Sequence, residues 1–114
     1  MLISIVTVCL NDLDRLKTTM DSLSDLYNSN KIEHLIIDGR STDGTVEYIQ
    51  KFNAYPNIVF ISEEDKGVYH AMNKGIKLAR SRYIIFINCG DLIIASVSRL
   101  QSLITKITKS CSNQ

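Results

Sequence analysis

Strand-sized apolar runs, each ending in a polar loop and followed by a segment of helical periodicity, constrain this chain more than any other feature. Leu2 to Val8 is β-branched and nearly continuous in apolar character, as in a strand buried on both faces. Asn11 or Asp12 is positioned to cap a first helix, whose stripe is Leu13, Leu16, Met20, Leu23 and Tyr27. A second strand over Ile32 to Ile37 runs into Asp38, Gly39 and Arg40. A second helix follows from Asp43 to Phe52, with Ser41 or Asp43 as its cap. Asn57 to Ser62 reads as a third strand. Val68, Ala71, Met72, Gly75, Ile76 and Ala79 form one face of a third helix, with Tyr69 at the core edge and His70 on the surface. Arg82 to Asn88 is the most apolar strand, expected to be the most buried. A last helix over Ala95 to Lys109 precedes a frayed tail at 110–114. Alternation of this kind predicts a three-layer α/β domain over residues 1–109, with a mostly parallel sheet covered by helices on both faces.

The length of 114 residues suits one domain. A net charge of +1 provides no general field for nucleic acid or an acidic membrane, so no nucleic-acid partner is expected. No apolar run is long enough for a transmembrane segment, and Met1 to Ser4 lacks the basic region of a secretory leader, so a cytoplasmic location is expected. Cys9, Cys89 and Cys111 lack metal-ligand spacing and read as reduced thiols. Cys9 and Cys89 each end a predicted parallel strand, so they can lie near each other.

Ligands of open parallel sheets bind outside the C-terminal strand ends, near the point where strand order reverses. Those ends are Val8 to Asn11, Asp38 to Ser41, Ser62 to Gly67 and Asn88 to Asp91. The last three bring carboxylates to one rim from loops far apart in sequence. Each loop also has a plainer reading. Asp38 to Gly44 could be a turn feeding a capped helix, and Asp65-Lys66-Gly67 a surface turn with a solvated charge pair. Asn88 and Asp91 could cap the next segment, or supply hard oxygens to Mg²⁺ or Mn²⁺. No glycine-rich P-loop and no G-x-G-x-x-G follows the first strand, which argues against a dinucleotide fold.

Segments 4–11, 36–45, 62–76 and 83–91 together resemble the family 2 inverting glycosyltransferases, nucleotide-sugar enzymes of the GT-A fold. The resemblance covers about residues 3 to 94 and looks closest to members that build surface polysaccharides. It implies a nucleotide-diphosphate sugar donor held by Val8, Asn11, Asp38, Asp65, Lys66, Gly67 and Asn88. It also implies a divalent cation, Mg²⁺ or Mn²⁺, on Asp91. In such enzymes a carboxylate base deprotonates the acceptor hydroxyl, which attacks the anomeric carbon.

This chain departs from the family pattern at four places. Gly39 stands where a second aspartate is frequent, Arg40 where a glycine is, and Leu10 where an aromatic residue often is. The metal motif reads Asn88-Cys89-Gly90-Asp91 rather than Asp-x-Asp-Asp. Family members continue well past that motif into the part carrying the acceptor site and the base, so no catalytic residue is assigned. The expectation is a donor-binding half, truncated, with a possible homodimer through an exposed sheet edge or apolar surface. The alternative is a catalytically inactive remnant serving as a nucleotide-binding or assembly module. A receiver-like signalling domain ranks last, because no acidic pair ends the first strand.

Overall fold

A computed structural model describes residues 3–89. Its elements are β1 (Ile3–Cys9), α1 (Leu13–Leu23), β2 (Ile32–Asp38), α2 (Thr45–Gln50), β3 (Ile58–Ser62), α3 (Val68–Leu78) and β4 (Tyr83–Phe86). The strands form one parallel sheet in the order β3-β2-β1-β4. The chain steps outward from β1 to β3, then α3 carries it back across the sheet to the far side of β1. Strand order therefore reverses at β1, and a crevice opens between its C-terminal end and the loop entering α3. The expected α/β fold is observed, while the predicted helix at 95–109 and the tail lie outside the described residues. Among the described residues, no helix is long and apolar enough to cross a membrane.

Each face of the sheet is covered by its own core. Ile3, Ile5, Ile32 and Ile36 pack with Leu16, Met20 and Leu23 of α1 and Ile49 of α2. Val6, Leu35 and Ile37 pack on the opposite face with Ala71 of α3. Gly75 lets α3 lie close on β1, since a Cβ there would stand 2.5 Å from Val6 Cγ1. The foreseen face of α3 holds in part, with Met72 and Ala79 half-buried. Ala71 and Gly75 are buried, whereas Val68, Ile76 and especially Tyr69 (84% exposed) face outward.

Central strands buried on both sides must satisfy any polar group they carry. On the α1 face, fully buried His34 bonds Tyr27 Oη at 2.7 Å through Nδ1 and Thr7 Oγ1 at 2.8 Å through Nε2. On the α3 face, the buried Glu33 carboxylate accepts from Ser4 Oγ at 2.6 Å, Arg80 N at 2.7 Å and Arg80 Nε at 3.3 Å. Burial alone pushes the Glu33 carboxyl up, but bonds from Ser4 and Arg80 outweigh it and hold the group below its usual range. Ser81 N completes the network by donating to Ser4 Oγ at 3.3 Å. The α3–β4 connection is thereby fastened to β1 and β2, which delivers β4 beside β1.

Two expectations change here. The strand foreseen as most buried is instead at the sheet edge, with Tyr83 48% and Phe86 40% exposed, because only β1 pairs with it among the described residues. The cap foreseen for α1 is also different. Asp12 makes no side-chain cap bond, and Asp43 Oδ2 accepts from Leu13 N at 3.0 Å instead.

His34 makes stability depend on pH. Burial lowers its pKa from 6.5 to about 3, so the unfolded chain takes up this proton first as pH falls. The contribution is complete above 6.5 and drains away between 6.5 and about 3. Urea unfolding at pH 6.5 and pH 5, where most carboxylates are still ionised, should differ by up to about 2 kcal/mol. Equal stability at the two values would contradict a neutral buried imidazole.

Candidate functional site

Asp38 ends the central strand, and its carboxylate is fully buried. It accepts from Cys9 Sγ at 3.4 Å, from Ser41 Oγ, from Ser41 N at 2.9 Å and from Ser62 Oγ at 2.7 Å. Both lone-pair sites of each oxygen are occupied, so the carboxylate joins β1, the β2–α2 loop and β3 at one point. Backbone bonds continue the seam, with Gly39 N on Cys9 O and Glu63 N on Asp38 O, each at 3.0 Å. These bonds give Asp38 a positioning role at the rim.

Asn11 knits the neighbouring loops. It adopts a left-handed conformation (φ 49°), which asparagine tolerates better than most residues. Its N–H donates to Ser41 Oγ at 2.8 Å, and its Oδ1 accepts from Thr42 N at 2.8 Å. Arg40 shares the left-handed region (φ 67°), a conformation that glycine adopts without steric cost. Asp43 serves both helices. Besides Leu13 N, it accepts from Thr45 N at 3.2 Å and Thr45 Oγ1 at 2.6 Å. The Thr45 hydroxyl leads the causes that hold its carboxyl below the usual range.

The third loop carries the group left open. Asp65 Oδ1 accepts from Gly67 N at 3.0 Å, forming a tight turn into α3. Its Oδ2 lies 2.8 Å from the point that a Cβ on Gly39 would occupy. Absence of a side chain at Gly39 thus admits the Asp65 carboxylate. Lys66 N donates to His70 Nδ1 at 2.8 Å, and Lys74 Nζ holds Glu64 O at 2.9 Å and Glu63 Oε1 at 3.0 Å. His70 and Lys74 therefore shape the loop, as a surface histidine and a half-buried lysine.

Between these loops lies a crevice of about 200 Å³, lined by Val8, Leu10, Asp12, Asp65, Gly67 and Val68 among others. The N-terminus of α3 opens onto it, with no acidic residue in its first turn to oppose an anion. A larger cavity of about 380 Å³ lies at the opposite ends of the strands, between Tyr27 to Asn30 and Ala54 to Asn57. It brings no carboxylate or cation together, so size is the poorer guide here. Of the foreseen residues, Val8, Asp65 and Gly67 line the crevice, Asn11 and Asp38 brace its walls, and Lys66 is exposed on its rim. Asn88 is exposed just after β4, and Asp91 lies outside the described residues. Among the described residues no group of three His, Cys, Asp or Glu could hold a metal. Sequence reasoning missed Ser62 and Cys9 as partners of Asp38; the signal was a hydroxyl and a thiol at neighbouring strand ends beside a buried carboxylate.

Fold and site together define an α/β domain of the GT-A type, with a loop-built crevice at the sheet's switch point. The sequence profile of Glycosyl transferase family 2 matches residues 4–112, and the chain belongs to that family. An uncharacterised glycosyltransferase of Mycobacterium tuberculosis is 37% identical over 90 residues, covering 78% of this chain and 34% of its own length. The putative teichuronic acid biosynthesis glycosyltransferase TuaG of Bacillus subtilis is 31% identical over 93 residues, covering 79% and 36%. The chain thus spans about a third of the length of these relatives. Among solved structures, Staphylococcus aureus TarS in complex with UDP-GlcNAc superposes with a TM-score of 0.76 at 19% identity, over 93% of this chain and 32% of that one. The mannosyltransferase PcManGT of Pyrobaculum calidifontis, in complex with GDP-Man and Mn²⁺, gives 0.69 at 19% identity, over 77% and 27%. At such identities these two structures speak to the fold.

Removing the Asp38 carboxylate strands donors from three segments. Asp38→Ala should cost on the order of 2–4 kcal/mol in urea unfolding, and Ser62→Ala about 1 kcal/mol. An Asp38→Ala variant as stable as the parent would contradict the bracing role.

Proposed function

We propose that this chain forms the donor-binding part of an inverting glycosyltransferase, holding a nucleotide-diphosphate sugar for surface polysaccharide assembly. The observation that carries the reading is the convergence of three loops on the buried Asp38, leaving the Asp65 carboxylate open beside Gly39. The family supports the reaction class, and TuaG's description supports the polysaccharide setting.

The crevice, at about 200 Å³, is smaller than the range of roughly 300–1,000 Å³ typical of whole ligand pockets. It suits the base and ribose, with Asp65 Oδ2 accepting a base N–H or a ribose hydroxyl. Leu10, 57% exposed, offers an apolar contact where an aromatic ring could stack. The diphosphate then lies toward the first turn of α3, whose amides and dipole favour negative charge. Asn88, just after β4, and Asp91, three residues further in sequence, carry hard oxygens that would hold a divalent cation. Such a cation supplies positive charge that stabilises a departing nucleoside diphosphate. Mn²⁺ accompanies the sugar nucleotide in the PcManGT complex, which favours that ion as the first probe.

Calorimetric titration with UDP and GDP, with and without Mn²⁺, tests the reading. One nucleotide should bind at millimolar concentration or better, and Asp91→Ala should abolish its Mn²⁺ dependence. Asp65→Ala should weaken binding about tenfold, the loss of one hydrogen bond to a charged group. Gly39→Ala should weaken it too by displacing Asp65, while changing stability by less than about 0.5 kcal/mol. Binding of neither nucleotide, or identical affinity in the Asp65 variant, would contradict the assignment.

A further inference from the structure

Directly beneath the crevice the fold brings two thiols together. β1 and β4 run parallel with Ile3 opposite Tyr83 and Val6 opposite Phe86, and Ile87 N continues the ladder onto Val6 O at 3.1 Å. That register, extended three residues past the end of β4, would bring Cys89 opposite Cys9. Paired strands lie about 4.8 Å apart, within the Cα separations of about 4.4–6.8 Å that disulfides span. Cys89 Sγ lies 3.5 Å from Val8 O, and Cys89 packs against the same core that contains Cys9. Cys9 Sγ is 3.4 Å from Asp38 Oδ1. Cys9 is buried and Cys89 half-buried, so an oxidant meets Cys89 first.

We propose that Cys9 and Cys89 are a redox modification site, forming a reversible disulfide that weakens ligand binding in the crevice above. The oxidant is a peroxide. The Cys89 sulfur attacks the O–O bond, giving a sulfenic acid and one water. The Cys9 sulfur then attacks the sulfenic sulfur, forming the S–S bond and expelling a second water. Two thiol protons and two electrons pass to the peroxide, so the step balances. The linkage removes the S–H that Cys9 donates to Asp38, the group bracing all three loops. It also straps the end of β4, and with it Asn88, to β1. The effect on binding rests on the donor-site reading above, whereas the disulfide itself does not.

The test uses the full chain carrying Cys111→Ser, treated with hydrogen peroxide and then with an alkylating agent. Mass spectrometry should show a loss of about 2 Da, with a crosslinked peptide joining Cys9 and Cys89 that dithiothreitol reverses. Affinity for UDP or GDP should fall by about fivefold or more on oxidation, equivalent to one hydrogen bond, and recover on reduction. Cys89→Ser leaves the Cys9 donor to Asp38 in place and should bind nucleotide equally before and after peroxide. If both thiols are alkylated after peroxide, or only unlinked oxidised cysteines form, the disulfide is refuted. A crosslinked chain with undiminished affinity refutes the switch. Failure of the reduced chain to bind either nucleotide would remove the donor-site reading and the effect on binding, while the crosslink still decides the disulfide.

Discussion

The molecule depends on one buried carboxylate. Asp38 carries its charge inside the domain, where an unpaired carboxylate would be very costly, and it is tolerated because four donors meet it. Those donors come from β1, the β2–α2 loop and β3, so one side chain fixes three loops relative to one another. A rim assembled in this way is held before any ligand arrives, which lowers the ordering cost of binding. Glu33 does the corresponding work at the other end of β2, fastening Ser4 and Arg80 and thereby setting β4 on the far side of β1. With both ends of the central strand committed, the switch between β1 and β4 is fixed.

Much of the fold could be read from pattern alone. Apolar β-branched runs marked all four described strands, and the stripe of α1 was correct at Leu16, Met20 and Leu23. What pattern missed was long-range. Asp43 caps α1 from a loop 30 residues away, which no local capping rule can see. The most apolar run became an edge strand, since hydrophobic content does not encode strand order. Ala71 and Gly75 of the foreseen α3 face are buried, while the close approach of Gly75 to Val6 is invisible to helical periodicity.

The strand-end acidic loops foreseen from the sequence do meet at one rim, with Asp38 bonded inside it and Asp65 open beside Gly39. A carboxylate at a buried strand end with serines nearby is absorbed by the protein, and the one on the turn with space beside a glycine remains available. Ser4, Thr7, Glu33 and His34 are polar interruptions in strands buried on both faces, and read as pairs they would have announced the networks observed. The family places this fold in a glycosyltransferase lineage, and the bare Gly39 leaves room for the Asp65 carboxylate.

The central claim is that the crevice at the C-terminal rim, rather than the larger cavity at the other end of the sheet, receives the nucleotide. Backbone amide NMR of the reduced chain, titrated with UDP or GDP and then with Mn²⁺, tests it most directly. Shifts should concentrate at Cys9 to Asn11, Gly39 to Ser41 and Asp65 to Tyr69, with paramagnetic broadening spreading from the end of β4. Shifts centred on Tyr27 to Asn30 and Tyr55 to Asn57, or none at millimolar nucleotide, would contradict the account.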